Sequence, residues 1–395
     1  MALPFSCRLF VSQGLCIKRV LSDGVRSLCT AGLSGCNPQL SVTAPGHEFR
    51  RRRCFTLGRT APYVDDEGVS DRTGCRFAVL SAVAFSLFGS KDERTEAQKM
   101  EDEIILLLKK AKYSMMLGEL EAANGFLHKA VRLAHQSHNN DAIIYTYSLM
   151  ANLAFIQGEL DNAEKLFKAA LSFMLSGGTA QDDNAVIEMS LKLASIYAAQ
   201  NKNELAEHGF QFCTESLEAK LEKQKDLPPD TISAEEERKD TRLLLGLSLD
   251  ARARYLASFR HFTGACRDYR HALQICQEEQ GEAHPQTLVL MSDLATVLDL
   301  QGKHDEALAQ VRKAVELGQT AGHPDQHILL GNMAGILMHK GEFEESVKMY
   351  EEALALAQEA GDVEAVEQFQ EGLKELSRRR EGKKQSSNKE PSHKQ

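Results

Sequence analysis

The stretch Ala295-Thr-Val-Leu-Asp-Leu-Gln-Gly302-Lys-His-Asp-Glu-Ala307-Leu-Ala-Gln-Val311-Arg-Lys-Ala314 decides the fold of this chain. Small residues stand at its start, at Ala307 and at Ala314, offsets of twelve and then seven. The same offsets recur at Ala111/Ala123/Ala130, Ala151/Ala163/Ala170, Ala194/Ala206/Cys213, Ala253/Ala265/Ala272 and Ala334/Ser346/Ala353. Seven positions after each first member comes a turn residue: Gly118, Gly158, Asn201, Arg260, Gly302 and Gly341. Four after each second member comes a larger one: Leu127, Phe167, Phe210, Tyr269, Val311 and Tyr350. Small residues let the two helices of a hairpin approach closely, the turn residue reverses the chain, and the larger side chain fills the gap to the next hairpin. The expectation is an all-α array of six helical hairpins, the architecture of proteins that bind partners along a groove.

Counted seven before each first small residue, the repeats start near Ile104, Ile144, Ile187, Gly246, Leu288 and His327, at spacings of 40, 43, 59, 42 and 39. The simplest tetratricopeptide array repeats at about 34 residues, so these hairpins carry lengthened helices, as in kinesin-light-chain-type repeats. Gly281-Glu-Ala-His-Pro-Gln-Thr287 resembles the connector of that subtype, with proline ending one helix and starting the next. The long spacing holds a charged insertion, residues 221–241, containing Pro228-Pro229. It divides the array into repeats 1–3 (101–220) and repeats 4–6 (242–360). It reads as a long helix end, a loop and a newly capped helix. Val366, Phe369, Leu373 and Leu376 then mark a capping helix within 361–377, and the basic stretch 378–395 reads as a disordered tail.

Composition fits this tetratricopeptide-repeat superhelix: there is no Trp, and aromatic residues make up only 6 %. The net charge of −9 conceals an asymmetry. Residues 1–60 carry nine Lys/Arg against Asp23 and Glu48, a net +7, which leaves −16 for the rest. So acidic a remainder excludes a nucleic-acid surface. The basic, acid-poor segment 1–60 reads as a disordered mitochondrial transit peptide, with Arg53-Cys54-Phe55 suited to processing after Phe55; a solvated basic arm is the alternative.

A linker, 61–73, leads to a short hydrophobic segment, 74–90, centred on Phe77-Ala-Val-Leu-Ser-Ala-Val-Ala-Phe-Ser-Leu-Phe88. Twelve helical residues at roughly 1.5 Å each span ~18 Å, against a hydrocarbon core of ~30 Å. The segment is a marginal inner-membrane anchor, with a buried or interfacial helix as the alternative. Arg72 and Arg76 before Phe77, and Asp92, Glu93 and Glu96 following Lys91, place the repeats in the intermembrane space by the positive-inside rule. Six of the nine cysteines precede residue 76, leaving Cys213, Cys266 and Cys276, without the spacing of a zinc site or disulfide framework. Cys213 takes a slot filled elsewhere by Ala and reads as a small buried residue.

The chain carries no phosphate loop, nucleotide-binding glycine fingerprint, nucleophile elbow or paired-His zinc motif. His135/His138 and His323/His327 have helical spacing but no convincing further ligand, so no metal and no cofactor is expected, and no enzyme. What remains is the wall built from the first helix of each hairpin. Positions two before and one after each first small residue face it: Lys109/Lys112, Leu149/Asn152, Lys192/Ser195, Ala251/Arg254, Asp293/Thr296 and Asn332/Gly335. The candidate partner-binding residues are Lys109, Lys112, Asn152, Lys192, Ser195, Arg254, Asp293 and Asn332, donors and acceptors suited to a peptide. Leu108, Leu149 and Leu191 fill slots where a carboxylate-clamp receptor of chaperone tails needs polar groups, which disfavours that class.

Several strings exceed what the generic repeat demands: Ala151-Asn-Leu-Ala-Phe-Ile-Gln-Gly-Glu-Leu160, Ser190-Leu-Lys-Leu-Ala-Ser-Ile-Tyr-Ala-Ala-Gln-Asn201, Leu243-Leu-Leu-Gly246, His284-Pro-Gln-Thr287 and Leu290-Met-Ser-Asp-Leu-Ala295. They resemble the mitochondrial tetratricopeptide repeat protein 19 family from Glu103 to Ser377; residues 1–100 match in character only. Arg252, where a small or apolar residue packs more easily, and Ser346 depart from the pattern. The resemblance implies an inner-membrane protein that binds respiratory complex III and promotes clearance of N-terminal fragments of the Rieske iron–sulfur protein. It implies no catalytic residues. A kinesin-light-chain-like cytosolic adaptor is the alternative, although it leaves residues 1–60 without purpose and lacks coiled-coil heptads.

Overall fold

The computed structural model describes residues 95–225 and 232–387. The leader, linker and short hydrophobic segment expected over 1–90 lie outside the described residues, as do 226–231 of the insertion and 388–395 of the tail. The described residues form thirteen α-helices and no strand. They are α1 Glu96–Met116, α2 Leu120–Gln136, α3 Asn140–Ile156, α4 Leu160–Ser176, α5 Asn184–Ala199, α6 Asn203–Lys225 and α7 Ile232–Ser258. There follow α8 Phe262–Gln280, α9 Pro285–Leu300, α10 His304–Ala321, α11 Gln326–Lys340, α12 Phe343–Ala360 and α13 Val363–Ser387. None is long and apolar enough to cross a membrane. The chain divides into two compact units at residue 147, inside α3.

In the first unit α1 starts with a capping box: Thr95 Oγ1 accepts from Gln98 N (3.2 Å) and Gln98 Oε1 from Thr95 N (2.9 Å). Ile104, Leu107, Leu108 and Ala111 turn to the inside of α1, and Ala123, Leu127 and Ala130 to the inside of α2. Gly118, between the two helices, has φ +72°.

The second unit repeats that hairpin through α12. Every member of the small-residue triplets, in both units, has 0 % exposure, because a larger side chain there would wedge the helices apart. The turn residues all have positive φ, from 58° at Asn201 to 87° at Gly341. Glycine holds that conformation without strain; Asn tolerates it; Arg260, at φ 61°, does not do so cheaply. In the connector before α9, Gly281 has φ +96°, Thr287 Oγ1 donates to Gly281 O (2.8 Å), Pro285 opens the helix, and His284 Nδ1 accepts from Gln286 N (3.2 Å).

The insertion lengthens two helices and ties them to their neighbours. Lys220 Nζ lies 3.1 Å from Glu237 and donates to Asn184 Oδ1 (3.0 Å), whose amide donates to Thr241 Oγ1 (2.9 Å). One expectation needs correcting: the chain does not leave its helix at residue 378. α13 continues to Ser387 because Glu375 pairs with Arg378 and Arg379, and Arg380 reaches back to Glu344 of α12 (2.6 Å). The buried face of α13 includes Ala365, Phe369 and Leu376. Phe369 lies so close to Gly331 of α11 that a Cβ there would sit 2.2 Å from its Cε1. The last hairpin is thereby covered.

Candidate functional site

The candidate residues differ sharply in what they can offer. In the first unit Lys109 is exposed, and Lys112 is half-buried with its ammonium 4.9 Å from the Tyr145 ring centroid. In the second unit Asn152 is half-buried beside buried Leu149. Ser195 Oγ donates to Leu191 O within its own helix (3.0 Å). Asn332 Nδ2 donates to Ser292 Oγ (2.8 Å), which joins α11 to α9.

Lys192 is not the open donor that its position promised. It is 8 % exposed, with Nζ 3.4 Å from Glu188 Oε1 and 5.3 Å from the Phe167 ring centroid. Burial pushes the Lys192 ammonium down and the Glu188 carboxyl up, and each charge partly offsets that effect on the other.

Arg254 and Asp293 belong to one polar cluster. Arg254 Nη2 lies 3.0 Å from Asp250 Oδ2, one turn earlier on α7. Asp250 is fully buried, and Arg254 keeps 12 % of its side-chain surface. Asp293, from α9, acts electrostatically on both Arg254 and Tyr269 of α8. Burial pulls the guanidinium down, but the surrounding groups, Asp250 first and then Tyr269 and Asp293, outweigh it and leave Arg254 above its ordinary value. Burial pushes the Tyr269 phenol well up, and the same two aspartates add to it. The structure therefore pairs Arg254 with Asp250 and leaves Tyr269 and Asp293 within electrostatic range of it. Glu188 and Asp250 were legible in principle, since each stands four residues before its base, the helical spacing of an ion pair.

Arg252, two residues away, serves the fold. Its Nε and Nη2 donate to Asp268 (2.6 and 3.0 Å) and its Nη1 to Thr214 Oγ1 (2.7 Å), so it links α6, α7 and α8. The histidines are likewise engaged. His323 Nδ1 accepts from Asp325 N (3.0 Å), and His327 Nε2 lies 3.3 Å from Asp362. His304 and His339 flank the Asp299 carboxylate at 2.7 and 2.5 Å. Among the described residues no group of three or more His, Cys, Asp or Glu side chains could hold a metal ion. Cys213, Cys266 and Cys276 are buried free thiols, and burial pushes Cys213 up to about 12.

Helical hairpins with triply small contacts and positive-φ turns define a tetratricopeptide repeat protein. Family models described as tetratricopeptide repeat match residues 247–320 and 329–364. Among solved structures, the apo form of RapI superposes with TM-score 0.55 at 13 % identity, covering 73 % of this chain and 76 % of that one; this likeness speaks to the fold alone. The chain is 82 % identical over 400 residues to the protein named mitochondrial tetratricopeptide repeat protein 19 from Danio rerio, covering 98 % of each. It is 56 % identical over 223 residues to the protein of that name from Homo sapiens, covering 56 % of this chain and 58 % of the relative. The chain belongs to the mitochondrial tetratricopeptide repeat protein 19 family.

Proposed function

We propose that the protein is a non-catalytic scaffold of the mitochondrial inner membrane, its repeats facing the intermembrane space. There it binds respiratory complex III and promotes clearance of N-terminal fragments of the Rieske iron–sulfur protein. The observation that carries the reading is a first-helix wall of held polar side chains, Arg254, Asp293 and Asn332, in a chain of this family. Such a wall suits the capture of an extended peptide and supplies no activated nucleophile. Clearance then works by binding: the scaffold displaces a fragment or presents it to a protease. The basic leader supports import, the charges flanking residues 74–90 support the orientation, and the acidic remainder of the chain speaks against a nucleic-acid partner.

The test is co-migration of the full-length chain with complex III on native gels, combined with protease treatment of mitochondria whose outer membrane is ruptured. The reading expects co-migration and digestion of a C-terminal tag. A cytosolic distribution would revive the cargo-adaptor alternative, and a protected tag would place the repeats in the matrix.

A further inference from the structure

α1 packs on α2, and Ile104, Leu107, Leu108, Ala111 and Ser114 lie on its buried side. At about 100° per residue, Ile105, Leu106, Tyr113 and Met116 fall within one stripe on the opposite side. All four are exposed, Tyr113 at 63 % and Met116 at 59 %. Apolar residues exposed singly mean little, whereas a contiguous stripe marks a surface that meets something. Among the described residues, these four exposed large apolar side chains share one helix face, and the others are spread from Ile156 to Val363.

The charges around the stripe show what suits it. Lys109 lies inside it and Lys110 at its edge, both exposed, and no acidic residue stands between Glu103 and Glu119. Residues 104–140 carry five Lys/Arg against Glu119 and Glu121, in a chain whose net charge is −9. Apolar side chains interleaved with lysines characterise a helix that lies in a bilayer interface. A tyrosine ring and the long stems of lysine suit that depth. Position in the chain agrees: seven residues separate Phe88, the end of the apolar segment, from α1, a reach of at most about 25 Å.

We propose that the exposed face of α1 is a docking surface for an anionic phospholipid bilayer. Ile105, Leu106, Tyr113 and Met116 seat at the headgroup boundary, and Lys109 and Lys110 meet lipid phosphates. This rests on the inner-membrane reading above and adds to it, since the first hairpin itself then touches the bilayer.

The test uses the full chain with the six cysteines before residue 76 changed to serine; Cys213, Cys266 and Cys276 are buried and escape labelling. A polarity-sensitive fluorophore is attached at Tyr113→Cys or, as the control, at Gly125→Cys, an exposed position of α2 with open space for a side chain. Vesicles are phosphatidylcholine alone or mixed with phosphatidylglycerol, each with and without spin-labelled lipid. On the mixed vesicles the label at 113 should shift to the blue and be quenched by the spin-labelled lipid, and the label at 125 should do neither. Lys109→Gln/Lys110→Gln should melt like the wild type and lose most of that quenching, since each lysine at an anionic surface contributes about fivefold. Unchanged quenching in that variant overturns the proposal, as does quenching at 113 that is equally strong on phosphatidylcholine alone or equalled at 125. A label at 113 already shielded from water without vesicles overturns it too, and shows that residues 77–88 or a second copy cover the face. A chain that floats with vesicles while the label at 113 stays in water overturns the docking face and leaves the inner-membrane reading standing. A chain that stays in solution with every vesicle overturns both.

Discussion

Arg252 holds Asp268 in a two-pronged grip, Nε to Oδ2 at 2.6 Å and Nη2 to Oδ1 at 3.0 Å, with Asp268 only 1 % exposed. The third nitrogen reaches Thr214, so the fork fastens repeat 4 to repeat 3 where the insertion interrupts the period. Removing one partner of a buried pair strands the other charge. Arg252→Ala should therefore cost about 3 kcal/mol, softened by Arg267, which stays in contact with Asp268. Arg252→Lys keeps the charge but loses the fork and should fall between. Urea unfolding measures both; an Arg252→Ala midpoint equal to wild type would show that the grip holds nothing.

Arg260 adopts φ 61° at a turn where four other repeats use glycine. Left-handed backbone costs a side-chain-bearing residue roughly 1–2 kcal/mol, set against the greater freedom glycine has when unfolded. Arg260→Gly should raise stability by about 1 kcal/mol, and Gly302→Ala should lower it. Thermal melts compare the two. A destabilised Arg260→Gly would mean that the exposed arginine makes a contribution larger than its strain.

Gly331 and Phe369 interlock so tightly that α13 must shift if Gly331 gains a methyl group. Gly331→Ala should cost about 1–3 kcal/mol as an overpacking change. Phe369→Ala should cost about 3–5 kcal/mol through its cavity. The double variant should cost less than the sum, because the new methyl occupies space vacated by the ring. Strict additivity in a double-mutant cycle would argue against the contact.

The Lys168 and Lys202 ammonium groups hydrogen-bond Glu164 and hold its carboxyl down at about 2. A carboxyl depressed on folding stabilises the native state fully above its unfolded value, about 4.3, and loses that contribution as pH falls toward the folded value. The wild type should lose stability between about pH 5 and pH 2, and Glu164→Gln should flatten that part of the curve. Equal slopes for the two chains would remove Glu164 from the account.

The hairpins could be read from the sequence because their determinants are local: three small positions, one turn position and one larger side chain at fixed offsets. The long-range pairings could not. Arg252 looked like a misfit because its acceptors lie 16 and 38 residues away. Lys192 and Arg254 looked like free donors because position on a face does not reveal that Glu188 and Asp250 occupy them one turn back. The basic stretch after Ser377 looked solvated because the pairing of Arg380 with Glu344 joins positions 36 residues apart.

The proposed capture of Rieske fragments at complex III depends on held side chains of the repeat wall. Its most direct test is the amount of N-terminal Rieske fragment on complex III isolated from mitochondria with and without this chain. Fragments should persist when the chain is absent and clear when the wild type is restored. They should not clear when the Asp250→Leu/Arg254→Met variant is restored. Equal fragment levels on complex III with and without the chain would contradict it.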